Sequence, residues 1–209
     1  MYHSSSTALF HMVCYYYIGL ILLKSVSINS WVPKKIFLTK GAGQHKEKLA
    51  SFELALREAG IASLNLITVS SILPPKCEFI DRDSGVKLLS HGQVVPIVLA
   101  RSESNDSSNL VSSGVGVAVP RDREDYGYLS EHHDVNMNDE QMEEYVEDLA
   151  AEMLATTYGL KFDPDASWDE KRELWKIDDR IVNTRSVIQT ASVKEGLWTT
   201  TVAAAVLIL

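Results

Sequence analysis

Asn65-Leu66-Ile67-Thr68-Val69-Ser70-Ser71-Ile72-Leu73-Pro74-Pro75 is the stretch around which the rest of this 209-residue chain is organised. Asn65 to Val69 is apolar and β-branched, the composition of a buried strand. Ser70 and Ser71 end it. Pro74 and Pro75 cannot donate to a sheet ladder, so the chain must leave the sheet there. A serine pair between a strand and a rigid exit is placed accurately without being locked into the ladder. Serine pairs are also ordinary turn residues, so the stretch alone decides no chemistry.

Upstream, Lys34–Thr39 reads as a first strand, broken by Gly41-Ala42-Gly43. The full glycine fingerprint of a phosphate loop is missing, so these glycines read as a tight turn. A helix follows from about Lys46 to Glu58, with Leu49, Phe52, Leu54, Leu56 and Ala59 near helical spacing and Gly60 as its stop. Downstream, Glu78–Ser90 reads as a polar, exposed excursion. Val94–Ala100 and Leu110–Val119 are strands around a hydrophilic loop, Ser102–Asn109. Gly114 and Gly116 share one face of the second strand, where a ligand or another backbone can come close.

Tyr126–His132 reads as a further strand. Asn138 caps a helix from Asp139 to about Tyr158, closed by Gly159, with Met142, Tyr145, Val146, Leu149, Met153 and Leu154 as its apolar stripe. Glu143, Glu144, Glu147 and Asp148 form a solvated face rather than a metal site. Asp163–Asp179 is acidic and carries Trp168 and Trp175 without a role that its residues suggest. Ile181–Val193 and Gly196–Leu209 complete the strands, and Val202–Leu209, apolar on both faces, is either central in the sheet or covered. Helices set against mostly antiparallel strands define an α+β layered fold in a single domain, residues 31–209.

Residues 1–30 differ from the remainder. The apolar run Ala8–Leu23 is short of the ~20 residues that span a bilayer, and it lacks both a basic leader and an Ala-x-Ala site. It reads as a poorly ordered N-terminal extension, not a membrane anchor. A net charge of −8 with no basic stripe excludes a nucleic-acid backbone as partner. Cys14 and Cys77 have neither metal spacing nor a bridge framework, and the chain reads as a reduced, cytoplasmic protein with no metal site. Cys77 reads as a small apolar residue rather than a reactive thiol.

Val69-Ser70-Ser71-Ile72-Leu73-Pro74-Pro75, with Asn65 upstream, resembles the self-cleavage site of the pyruvoyl-dependent arginine decarboxylases. The resemblance runs from about Val32 to the C-terminus. It takes in Phe52–Ile61, Gly114–Pro120 and Tyr126–His132 in the same order. It implies an αββα sandwich, and decarboxylation of L-arginine to agmatine and carbon dioxide through a Schiff base on a pyruvoyl group. It also implies homo-oligomers, trimers or multiples of them, with active sites between protomers. Two alternatives stay open: an unprocessed member serving as an assembly or interaction protein, and a pyruvoyl decarboxylase of another amino acid. A serine hydrolase is disfavoured, because no Gly-x-Ser-x-Gly elbow is present.

Amine decarboxylation leaves a carbanion that needs an electron sink, and a pyruvoyl ketone beside an amide carbonyl supplies one. The resemblance implies that the bond between Ser70 and Ser71 is cut, giving a β chain ending at Ser70 and an α chain that begins with a pyruvoyl made from Ser71. It assigns Asn65, six positions before Ser71, as donor to the oxyanion of that cleavage. It assigns Glu131 as the acid that reprotonates the substrate, reaching a neighbour's pyruvoyl. By alternation Glu131 shares a face with Gly127 and Leu129, a setting expected to desolvate it and raise its pKa. It assigns Glu53 as the carboxylate that meets the substrate guanidinium, where the archaeal pattern has aspartate. His132 and His133 read as exposed strand-end residues.

Overall fold

Every residue from Val202 to Ile208 is apolar, and in the computed structural model all of them are buried. The run lies in strand β9 (Trp198–Ile208), the centre of a five-stranded sheet. On one side stand β5 (Val94–Ser104) and, at the edge, β2 (Asn65–Thr68); on the other stand β1 (Lys35–His45) and the short β4 (Glu78–Phe79). A second sheet has the order β3 (Ile72–Leu73), β7 (Gly127–Val135), β6 (Leu110–Pro120), β8 (Ile181–Ser192). Pairing is antiparallel except for β1 with β4 and β2 with β5. The structure describes residues 31–159 and 181–209; the N-terminal extension and the segment Asp163–Asp179 lie outside them.

Alternation along β9 explains the layers. Ala203, Ala205 and Leu207 pack with Ile36, Val98, Ala100, Val115, Val117 and Leu129 between the two sheets. Val202, Ala204, Val206 and Ile208 turn the other way, onto Phe37, Ile61, Ile97 and the helix α1 (Lys48–Ala59). Ala118 of the second sheet meets Ala150, Leu154 and Ala155 of the helix α3 (Asp139–Thr157) on its outer face. Helix, sheet, sheet, helix is the expected α+β sandwich, with each strand buried on two faces where a helix covers it. Asn138 caps α3 in a reciprocal box: its side chain accepts from Gln141 N at 2.9 Å, and Gln141 Oε1 accepts from Asn138 N at 3.0 Å.

Several local readings change. Gly41-Ala42-Gly43 is not a turn, because β1 continues through it to His45. A Cβ at Gly43 would strike the carbonyl oxygen of Ser51, and one at Gly41 that of Ala55. The glycines thus let α1 lie directly on the strand. The buried stripe of α1 is accordingly Ser51, Ala55 and Ala59; Leu49 is exposed. Gly114 and Gly116 serve the same purpose for α3, whose Met142 and Val146 fill the space above them, so this face is closed to a ligand or another protomer. The inner stripe of α3 is Met142, Val146, Ala150, Ala151, Leu154 and Ala155, with Tyr145 exposed. Glu78–Ser90 is structured, comprising β4 and the helix α2 (Arg82–Lys87), whose Gly85 rests on the Phe37 ring.

Gly116→Ala drives a methyl into the Val146 carbonyl, which a backbone atom cannot avoid by changing rotamer. Overpacking of this kind costs about 1–3 kcal/mol. The expected result is a lower urea midpoint at unchanged slope, measured by circular dichroism; an unchanged midpoint contradicts the packing.

Candidate active site

The serine pair lies where the chain passes from one sheet to the other. β2 is an edge strand, not a buried one: it pairs with β5 on one side, and Asn65, Ile67 and Thr68 are exposed while Leu66 packs inward. Val69 extends the pairing, its N–H donating to Ile97 O at 3.0 Å. Three residues later the chain belongs to the second sheet, where Ile72 pairs with Tyr128 and Leu73 with Gly127. Ser70 and Ser71 are the crossing.

The crossing is held from both ends. Leu129 N donates to the Ser71 carbonyl at 2.8 Å, and Ile72 N donates to the Ser70 carbonyl at 2.9 Å. Beyond it, Pro74 is buried and accepts from Cys77 N at 3.2 Å, closing a turn with Lys76 at φ 58°. That turn is tied to the β6–β7 connection. Lys76 N donates to Arg123 O at 2.9 Å, the Arg123 guanidinium donates to Cys77 O, and Lys76 Nζ pairs with Glu124 at 2.7 Å. Arg123 carried no sequence signal beyond its place in the charged run Arg121–Asp125. Burial pushes the Cys77 thiol up to about 11, despite the nearby Arg123 charge, so Cys77 is an inert, buried residue.

β7 brings Glu131 to this crossing. Ser130 turns outward and donates to Val146 O of α3, so the next residue faces the other side of the sheet. Ser71 Oγ donates to Glu131 Oε2 at 3.2 Å. Serine and carboxylate are thus already in contact within one chain. Glu131 is exposed and Ser71 half-buried, so one chain does not by itself supply the anticipated desolvation of the carboxyl. His132 turns toward α3, where its ring lies 4.2 Å from that of Tyr145; desolvation there lowers its pKa, Asp134 opposing.

Asn65 and Glu53 are engaged elsewhere. Asn65 Nδ2 donates to Gly92 O at 2.7 Å, and its backbone N–H to Gln93 O at 2.8 Å. In extended chain, five residues upstream of Ser70 corresponds to ~16 Å. Glu53 sits on α1, outside the first sheet, and receives Arg57 Nε at 2.5 Å one helical turn on. The protomer therefore brings together Ser70, Ser71 and Glu131, and leaves Asn65 and Glu53 in other contacts. Among the described residues no His, Cys, Asp and Glu cluster could hold a metal, and no helix is long and apolar enough to cross a membrane.

A family model for pyruvoyl-dependent arginine decarboxylase matches residues 35–209. A protein of Chlorobium limicola named probable pyruvoyl-dependent arginine decarboxylase is 54% identical over 179 residues, covering 86% of this chain and 99% of its own. Pyruvoyl-dependent arginine decarboxylase 2 of Methanosarcina mazei is 49% identical, covering 85% and 97%. A Methanococcoides burtonii protein named pyruvoyl-dependent arginine decarboxylase is 47% identical, covering 85% and 99%. The chain belongs to the pyruvoyl-dependent arginine decarboxylase family. It is an enzyme, and its cofactor is a covalently bound pyruvoyl group. The crossing fits such a group: at Ser71 the amide carbonyl that would adjoin the ketone is already fixed by Leu129 N–H, with a carboxylate beside the side chain.

Proposed function

We propose that this protein cuts itself between Ser70 and Ser71 and then decarboxylates L-arginine to agmatine and carbon dioxide. The observation that supports it most is the Ser71 Oγ to Glu131 contact of 3.2 Å at the sheet-to-sheet crossing. In the cleavage, Ser71 Oγ bonds to the Ser70 carbonyl carbon, the C–N bond breaks, and the hydroxyl proton ends on the freed amine. Loss of the Ser71 Cα proton then expels the Ser70 carboxylate from Cβ. Water replaces the enamine nitrogen, which leaves as ammonia.

The pyruvoyl group so formed supplies the electron sink for the carbanion left by carbon dioxide. Glu131, beside the former Ser71 side chain, delivers a proton to the substrate Cα. Arginine selectivity rests on Glu53. In the free chain Glu53 already accepts a guanidinium, that of Arg57, which a substrate would have to replace.

Asn65 and Glu53 are engaged in other contacts of their own chain; Glu53 would meet the substrate at a neighbouring chain's site, where Asn65 would add a further oxyanion donor, and the active assembly is a trimer or a multiple of it. β2 offers an unpaired edge with Ile67 51% exposed, and Val94 of β5 beside it is 53% exposed. Two damaged variants test both the substrate and the assembly. Processed Glu131→Gln and processed Glu53→Ala, each poorly active alone, are mixed under conditions that exchange subunits. Mixed assemblies contain sites with an intact Ser71-derived group and Glu131 from one chain and Glu53 from the other. Agmatine formation is expected to rise well above the sum of the separate variants. No rise in demonstrably mixed assemblies, or full activity from a monomer by light scattering, contradicts the shared site.

A further inference from the structure

Attack on the Ser70 carbonyl turns its oxygen into an oxyanion, and an oxyanion needs a donor already in place. The residue expected to supply one, Asn65, has its carboxamide on Gly92 O. A different donor is there. The backbone N–H of Ile72 points at Ser70 O at 2.9 Å, closing a three-residue turn over Ser71. The neighbouring bonds explain why it is available: β3 pairs with β7 through the Ser71 carbonyl and Leu129 N–H, while Ile72 N–H turns back onto Ser70.

We infer that the Ile72 N–H is the oxyanion donor of self-cleavage supplied within the protomer. The turn does two things at once. It aims the N–H at the oxygen on which negative charge grows, and it bends the chain around the residue whose Oγ must reach the carbonyl carbon. When Oγ adds, the carbonyl π electrons pass to that oxygen and the N–H holds them. When the C–N bond breaks, the carbonyl reforms as an ester on Ser71 Oγ and the charge on the oxygen is discharged. A donor in the backbone next to the nucleophile needs no second copy, so the cut can begin in a newly folded chain.

The inference rests on the proposed cut between Ser70 and Ser71, and the tests separate the two. Replacing the Ser71–Ile72 amide by an ester, with the α-hydroxy analogue of isoleucine introduced at position 72 during cell-free translation, removes the N–H and keeps the side chain. A control chain carries the equivalent ester at Lys76, which deletes the bond to Arg123 O in the same segment. Both are read as the rate at which the chain falls into two fragments, per folded chain by circular dichroism. The ester at 72 is expected to slow cutting by about 100- to 1,000-fold, the usual effect of removing one oxyanion donor, while the control stays within a few-fold of the parent. Equal slowing by both esters, or none at 72, overturns the inference; a parent that is never cut overturns the underlying reading instead.

A second measurement does not depend on how the ester folds. In the Ser71→Ala variant, positions 71 and 72 form the one alanine–isoleucine step in the sequence. Carbonyl-13C alanine with 15N isoleucine then isolates the Ile72 amide as a single NMR signal. A small temperature dependence of its proton shift and slow exchange with solvent are expected of a bonded N–H. The temperature dependence and exchange of a free amide overturn the inference.

Discussion

Ser71→Ala leaves the chain whole and inactive. Alanine keeps the backbone, and with it the bonds of Leu129 N to the carbonyl at position 71 and Ile72 N to the Ser70 carbonyl, so the crossing survives. What disappears is the only oxygen that can add to the Ser70 carbonyl through an unstrained ring. The Ser70 hydroxyl is on the acyl side of the bond and would have to close a four-membered ring. Cleavage should therefore fall to background, and agmatine formation with it, while Ser70→Ala still yields two fragments. Both variants are scored on a denaturing gel after incubation at the parent's processing conditions. A cut between positions 70 and 71 in Ser71→Ala places the nucleophile elsewhere.

Glu131→Gln separates the two reactions. Glutamine retains an oxygen that accepts from Ser71 Oγ, replacing the carboxylate at 3.2 Å. The cut needs that alignment and a donor on Ser70 O, so processing should go to completion. Decarboxylation also needs a proton delivered to the substrate Cα, which an amide does not release. Turnover should drop by about 100- to 10,000-fold, the range of a positioned general acid, with little change in arginine affinity because Glu53 is untouched. Steady-state kinetics on fully processed protein check this. Parental turnover removes Glu131 as the acid, and an uncut Glu131→Gln chain gives the carboxylate a part in the cleavage instead.

The features legible in the sequence are those set by local composition. The apolar run Val202–Ile208 is a central strand because nothing in it tolerates water, and Asn138 with Gln141 marks the start of α3 by its own side chains. What depends on remote partners was not legible. Asn65–Thr68 has the composition of an interior strand, yet it pairs only with β5, and edge position is a property of sheet order rather than of four residues. Gly41 and Gly43 look like a turn because glycine serves both turns and close backbone contacts; the helix above them decides which. In the site, the serine pair announced itself. Its proximity to Glu131 comes from the pairing of Ile72 with Tyr128, a register between segments far apart in the chain. The backbone N–H of Ile72 has no side-chain signature, and Arg123 is one charge in a charged run.

Intact mass of the freshly purified protein shows whether the chain cuts itself and what group is left at position 71. Two species are expected, Met1–Ser70 ending in a free carboxylate and a second fragment running from a pyruvoyl at position 71 to Leu209. The second fragment should carry no amino terminus, and its mass should be that of a chain in which the serine amine has been exchanged for a keto oxygen after loss of the hydroxyl. A single species at the 23.3 kDa of the whole chain, or a second fragment that begins with an intact serine, contradicts self-cleavage to a pyruvoyl group.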